Sequence, residues 1–376
     1  MKMFYRDMME RARLMRLFVA VLLVLSVVGC SKVDDELFPP VQSNDAISFV
    51  PSVKIHDNVK LSGVKSLIED ADDLQEYSIS LLGTAKRNST VSKVFGNRAM
   101  SFSSGWSYGD PEYWIPGALY SFAAFCPYAL PSGPTAPSVP YKSLTNGTVT
   151  YTEDGNNPTI SIAGYNTGKK SDSSQGASDG FDARCEDLLF EKVTRDNTLA
   201  NDYSSVGLQM EHLLACLEFC VRNATNEDIV KIYNISLTGL KYKCDIDIDC
   251  STGAVVRVLK DRVSSEDTYF SGDDIGDGST AVLPKGMSND SYEHLFDCDY
   301  LTVLPQDVRG EEIKLNFTVK FYNQEATVDY SVNLGKIESM IEWVKGMKYR
   351  FTLTISSQDI YFQVVEVPWV VHYVEL

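Results

Sequence analysis

The chain is predicted to be mainly β, two tandem β-sandwich domains preceded by a lipoprotein signal peptide, and three observations lead there. Apolar and polar residues alternate with period two in many short segments, as one buried and one wet sheet face require. Aromatic residues make up 11% of the chain, with 20 Tyr, a composition that favours strands. Helical spacing is confined to one short stretch, Ile337, Met340, Ile341 and Val344, between Gly335 and Gly346, which predicts one short helix.

The first thirty residues are not a fold element. Lys2, Arg6, Arg11, Arg13 and Arg16 precede an unbroken apolar run from Leu17 to Leu25, the layout of a signal peptide. Met15-Arg16 offers an alternative start. Val27, Val28 and Gly29 then lead to Cys30, the pattern of a lipobox, so residues 1–29 are expected to be removed and Cys30 lipidated. The apolar run is shorter than the ~20 residues of a membrane span, which leaves the lipid as the link to the outer membrane. Residues 30–45 form the tether, and Lys32, Asp34, Asp35 and Glu36 a charged patch that suits surface sorting or simply a solvated linker.

Loss of residues 1–29 removes five basic and two acidic side chains, so the net charge of −17 becomes −20. That excludes nucleic acid as a partner. The remaining length suits two domains, residues 46–200 and 201–376, joined in the polar stretch near Arg195 to Tyr203.

Along the chain, Tyr77, Ile79 and Leu81 open the series of alternating segments. Pro131 to Asp182 is rich in Pro, Gly, Ser, Asn and Asp and is expected to form long exposed loops. Tyr233, Ile235 and Leu237 come next, then Ile246 and Ile248 set against Asp245, Asp247 and Asp249. The clearest strands are Ile313, Leu315, Phe317, Val319 and Phe321, and Tyr349, Phe351, Leu353 and Ile355. Near the C-terminus the apolar set shifts from Ile360, Phe362 and Val364 to Val365, Val367, Trp369, Val371 and Tyr373. That phase change predicts a β-bulge at Val364-Val365, and Pro368 predicts an edge strand or irregular pairing there.

Catalytic and metal motifs are sparse. Gly105-Trp106-Ser107-Tyr108-Gly109 fits GxSxG, yet Pro111 and Pro116 leave no room for the helix that a nucleophile elbow needs. His56, His212, His294 and His372 lack metal-gathering spacing, and His212 suits a hydrogen-bonded core position. The acids Asp245, Asp247 and Asp249 suit a solvated strand face, and Gly272 to Gly278 an acidic turn. No metal, no cofactor and no enzyme activity are expected. Beyond Cys30 there are seven cysteines. Cys216 and Cys220 would lie ~13 Å apart on one strand, too far to bond, whereas Cys220 could bridge to Cys244 if their strands pair.

The order of segments resembles the fimbrillin family, the type V pilins of Bacteroidales. The matching pieces begin with Cys30 and Ile47-Ser48-Phe49, followed by Tyr77 to Gly83, Trp106 with Tyr113-Trp114, and Tyr120 to Pro127. Asp187 to Phe190, Met210 to Ala215, Leu301 to Gln306, Trp343 to Gly346 with Tyr349 to Phe351, and Val367-Pro368-Trp369 complete the series. The resemblance implies transthyretin-like sandwiches, delivery to the outer membrane, and polymerisation into a fimbrium with other fimbrial subunits. It also implies that a protease removes the first strand after a basic residue and that a neighbour's strand fills the groove. This chain departs from the pattern, with no Arg between Cys30 and Arg87. Cleavage would then fall at Lys54, Lys60 or Lys65, or late at Arg87, or the subunit keeps its strand as an anchor. Ile360, Phe362, Val364, Val367, Trp369 and Val371 are the candidate donor strand, with a permanently paired edge as the alternative. A competing reading is a non-polymerising surface lipoprotein that binds glycan or a host or bacterial surface protein through Trp106, Tyr108, Tyr113 and Trp114.

Overall fold

A computed structural model describes residues 46–54, 68, 70–130, 143–144, 146–154, 157–167, 187–199, 202–259, 268–271, 274–288, 291–295, 301–338, 340–356 and 360–368. The signal peptide, lipobox, tether, Lys60, Lys65, Trp369 and Val371 lie outside them.

The first sheet has seven strands. In spatial order they are Phe49–Val53 (β1), Val206–His212 (β9), Leu189–Asp196 (β8), Leu119–Cys126 (β5), Ile79–Arg87 (β2), Thr90–Phe102 (β3) and Trp106–Ser107 (β4). One face buries Ile79, Leu81, Phe95, Trp114, Tyr120 and Phe122, among others, in a single cluster. Its other face sends Leu82, Ala123 and Phe125 into a second cluster with Ile160, Ile162, Tyr165, Ile246 and Ile248. Those partners belong to a four-stranded sheet ordered Ala254–Leu259 (β13), Lys243–Asp249 (β12), Asn157–Asn166 (β7) and Thr148–Asp154 (β6). A turn of helix, Ala71–Leu74 (α1), starts at Asp70, whose carboxylate accepts from the Asp72 and Asp73 amides at 2.8 Å each, a side-chain N-cap.

The third cluster joins two further sheets. One orders Glu293–His294 (β15), Ala215–Asn223 (β10), Met347–Ile355 (β21) and Ile360–Pro368 (β22), with Leu301–Val303 (β16) also on β10. The other orders Thr268–Ser271 (β14), Ile229–Thr238 (β11), Lys314–Phe321 (β18) and Thr327–Asn333 (β19). Gln306–Asp307 (β17) pairs with Glu342–Trp343 (β20). The alternation read in the sequence is the burial seen here: Leu315, Phe317 and Val319 on β18, and Tyr349, Phe351, Leu353 and Ile355 on β21, are all at most 2% exposed.

Sheet pairing crosses the polar stretch near Arg195 to Tyr203 twice. β9, beyond it, joins β1 and β8 in the first sheet, and β12 pairs with β7.

Several expectations need correction. Pro131 to Asp182 is not all loop, because β6 and β7 lie within it. Ile160, Ile162 and Tyr165 are fully buried, their alternation hidden among Asn, Pro and Gly. The described residues of 337–344 do not form a helix. A single 3-10 turn, Leu334–Lys336, ends at an extended Ile337. Met340 and Trp343 are then buried while Ile341 and Val344 are exposed, the wrong set for a helical face. The Ile341 carbonyl instead accepts from Val308 and Arg309 beside the β17/β20 pair. No bulge occurs at Val364-Val365, since β22 pairs with β21 from Ile355↔Ile360 to Met347↔Pro368 without a register shift. β22 is the edge of its sheet, with Pro368 as its last residue. Register shifts fall elsewhere, among them one on β11 between Tyr233 and Ser236, around Asn234 at φ 53°. The extra residue turns Tyr233 away from the core that Ile235 and Leu237 enter. The Cys220 to Cys244 bridge is also absent. β10 and β12 belong to different sheets, and Cys220 is a buried free thiol.

Candidate functional site

The site is the outer edge of the first sheet, where β1 runs parallel to β9 in register from Phe49↔Val206 to Val53↔Met210. Strand alternation sends Ile47, Phe49, Pro51 and Val53 inward and leaves Ser48 and Val50 outside. Phe49 meets Phe122 at 5.3 Å, Phe95 at 5.6 Å and Tyr108 at 6.1 Å between ring centroids, all edge to face, a favourable aromatic geometry. Tyr108 donates its hydroxyl to the Ile47 carbonyl at 2.6 Å. β1 thus fills a groove whose floor is made by β2, β3, β5 and β9.

Lys54 closes the strand. Its amide donates to the Met210 carbonyl at 2.7 Å, and its ammonium pairs with Glu211. Lys345 lies on the other oxygen of Glu211 at 3.4 Å. Burial pushes the Glu211 carboxyl up, but the hydrogen bond from Lys54 and the two ammonium charges outweigh it and hold the group below the usual range. The same hydrogen bond and charge raise Lys54. For a carboxyl held low, the stabilisation is present above its unfolded pKa and fades as pH falls through the folded one. Glu211→Gln is therefore expected to speed tryptic cutting after Lys54, read by the mass of the new N-terminus. An unchanged rate would mean that the pair does not guard this bond.

The other predicted basic site is placed differently. Arg87 ends β2, which hydrogen-bonds to β3 on one side and β5 on the other. A cut there would strip an interior strand from the sheet.

Among the remaining sequence candidates, the four aromatics do not form a surface platform. Trp114 is fully buried and Tyr113 is 38% exposed, while Trp106 and Tyr108 pack against the first core. Ser107 lies in a two-residue strand, its hydroxyl accepting from Gly109 at 3.3 Å, and the next segment forms a β-bridge through Tyr113. His212 is in the core, with Nδ1 2.8 Å from the buried Asp187 carboxylate. Asp245 accepts from the Gly164 amide at 2.9 Å, and Asp249 caps the turn through Ser251 at 2.8 Å. Asp247 alone of the three is exposed.

A family model described as fimbrillin-like matches residues 68–369. A fimbrial protein from Bacteroides vulgatus superposes with a TM-score of 0.52 at 14% identity, over 86% of this chain and 99% of that one. A fimbrial assembly protein from Parabacteroides distasonis aligns over 85% of this chain and 98% of that one, at 12% identity and a TM-score of 0.35. No curated protein matches the sequence.

Proposed function

Since the chain belongs to the fimbrillin-like family, we propose that it is a structural fimbrial subunit or anchor, exported as an outer-membrane lipoprotein on Cys30 and joined to its neighbours by β-strand exchange. The observation that carries this reading is β1. It is an edge strand, it buries alternate side chains in a groove, and a basic residue follows it at once. Main-chain hydrogen bonds and side-chain pockets of that kind serve an exchanged strand as well as a resident one. Among the described strands, a cut at Lys54, Lys60 or Lys65 would free only β1, which favours these positions over Arg87. The C-terminal segment through Ile360, Phe362, Val364, Val367, Trp369 and Val371 is the proposed donor. β22 pairs with β21 within the chain, so donation would use the part beyond Pro368 or require β22 to leave its edge.

A second reading, a surface lipoprotein that binds a glycan or a host or bacterial protein without polymerising, draws on a cleft of about 380 Å³. Glu227, Gln324, Phe321 and Tyr330 are among its lining residues.

The test is an unheated denaturing gel of surface material from cells expressing a copy tagged within Gly168 to Gly176, with mass spectrometry of the subunit's N-terminus. A ladder that collapses on boiling, with a new N-terminus after Lys54, Lys60 or Lys65, is expected of a polymerising subunit. A ladder ending in a chain that keeps lipidated Cys30 marks the anchor. A single band that keeps Cys30 would overturn polymerisation.

A further inference from the structure

Strand alternation divides β10 into two faces. Ala215, Leu217, Phe219 and Val221 enter the C-terminal core, so Glu218 and Cys220 share the opposite face. Antiparallel pairing places His294 of β15 directly across from Cys220, and parallel pairing sets Arg350 of β21 beside Glu218. Glu218 is 1% exposed and Cys220 fully buried. One carboxylate oxygen of Glu218, Oε2, is held by Arg350 Nε at 2.8 Å and Lys348 Nζ at 3.2 Å. The other, Oε1, faces Cys220 Sγ at 3.7 Å and His294 Nδ1 at 3.9 Å. The three ligand atoms all lie within 4.8 Å of one another.

Those separations have a chemical meaning. Zinc bonds of about 2.0 to 2.3 Å, arranged tetrahedrally, place neighbouring ligand atoms about 3.3 to 3.8 Å apart. The Oε1–Sγ edge at 3.7 Å is therefore within a few tenths of an ångström of that geometry, and the Oε1–Nδ1 edge at 3.9 Å is about half an ångström longer than two bonds of about 2.0 Å would set it. We propose that Glu218 Oε1, Cys220 Sγ and His294 Nδ1 bind a zinc-class divalent cation, with water in the fourth position. A thiolate and an imidazole select such an ion over calcium or magnesium, which take oxygen ligands. Arg350 and Lys348 fix the carboxylate from behind, as outer partners of metal ligands do, and their charge offsets part of the negative charge that the ligands bring. The His294 side chain is 30% exposed, and the ion enters past it.

On binding, the Cys220 S–H bond breaks as the sulfur–metal bond forms, and one proton passes to solvent. Burial, followed by the Glu218 charge, pushes the Cys220 thiol up to about 12 against the opposing pull of Arg350 and Lys348. The metal thus displaces a proton that the thiol would otherwise keep at neutral pH.

The test is a cobalt titration of the mature chain after chelator treatment, followed by zinc competition. One cobalt per chain is expected, with a near-ultraviolet thiolate-to-cobalt band that stoichiometric zinc bleaches. Cys220→Ser should abolish the band. His294→Gln should weaken binding by more than about 100-fold, the upper end of what loss of an outer partner costs. Cys250→Ser removes a buried thiol outside the cluster and should leave the band intact. Absence of the band in the unaltered chain would overturn the site, and so would its survival in Cys220→Ser or its loss in Cys250→Ser. Should Cys220→Ser fail to fold, His294→Gln decides, at a partly exposed position where unchanged affinity overturns the site.

Discussion

Phe49→Ala is expected to lower the unfolding free energy by about 3 to 5 kcal/mol, the range for losing a buried phenylalanine. The ring is 6% exposed and touches three other aromatic rings. Phe95 and Phe122 are already packed at Gly83, where even a Cβ would meet both rings at 2.9 Å, which limits their collapse into the space. Val50→Ala is the control. Its side chain is on the same strand but 56% exposed, and such surface changes usually stay within about 0.5 kcal/mol. Urea unfolding should show a lower midpoint for Phe49→Ala at an unchanged slope. A shift no larger than that of Val50→Ala would mean that β1 is not seated in the groove. The consequence for assembly is direct: Ile47, Phe49 and Val53 each contribute about 1.5 to 3 kcal/mol of burial. Together they approach the whole net stability of a domain, about 5 to 15 kcal/mol. A subunit that loses β1 must have its groove refilled to stay folded.

Glu218→Ala, measured in chelator, is expected to cost about 3 to 5 kcal/mol, the penalty for removing one partner of a buried ion pair. Its carboxylate is 2% exposed and the Lys348 side chain 4%. Truncation removes the Glu218 counter-charge from the nearly buried Lys348 ammonium, and Arg350 loses its 2.8 Å contact. Replacing Glu218, Lys348 and Arg350 together by apolar residues of similar size is expected to be close to neutral, since the desolvation cost disappears with the charges. Thermal or urea unfolding of both variants checks this. A Glu218→Ala loss below about 1 kcal/mol, the value of an exposed pair, would show that water reaches the cluster.

How far each feature was legible depends on how local its signal is. β18, β21 and β12 were readable because long runs alternate without interruption, and one buried face enforces the pattern. β6 and β7 were not, because Gly155, Asn156 and Pro158 dominate the composition around three buried side chains. The stretch from Ile337 to Val344 misled for the opposite reason. Four apolar residues had helical spacing, but pairing with β17 and burial of Trp343 decided the backbone. The β1 groove was half legible: Ile47-Ser48-Phe49 announces a strand, but its partner lies far along the chain. The Glu218, Cys220 and His294 cluster left one trace, a Glu and a Cys two apart on one strand face. His294 joins them only through strand pairing, which no spacing rule supplies.

The union of β1 with β9 spans 157 residues between Ser48 and Ser205, and it is parallel, so no hairpin can deliver it. Closing so long a loop is entropically slow and comes late. During folding the remainder of the first sheet is therefore expected to form first, with β1 arriving last. A chain that folds in this order would pass through a state with a vacant slot, open to any strand that matches it. Tethering β1 to the same chain makes its own strand the nearest competitor, a built-in guard against pairing with a foreign strand for as long as that tether is intact.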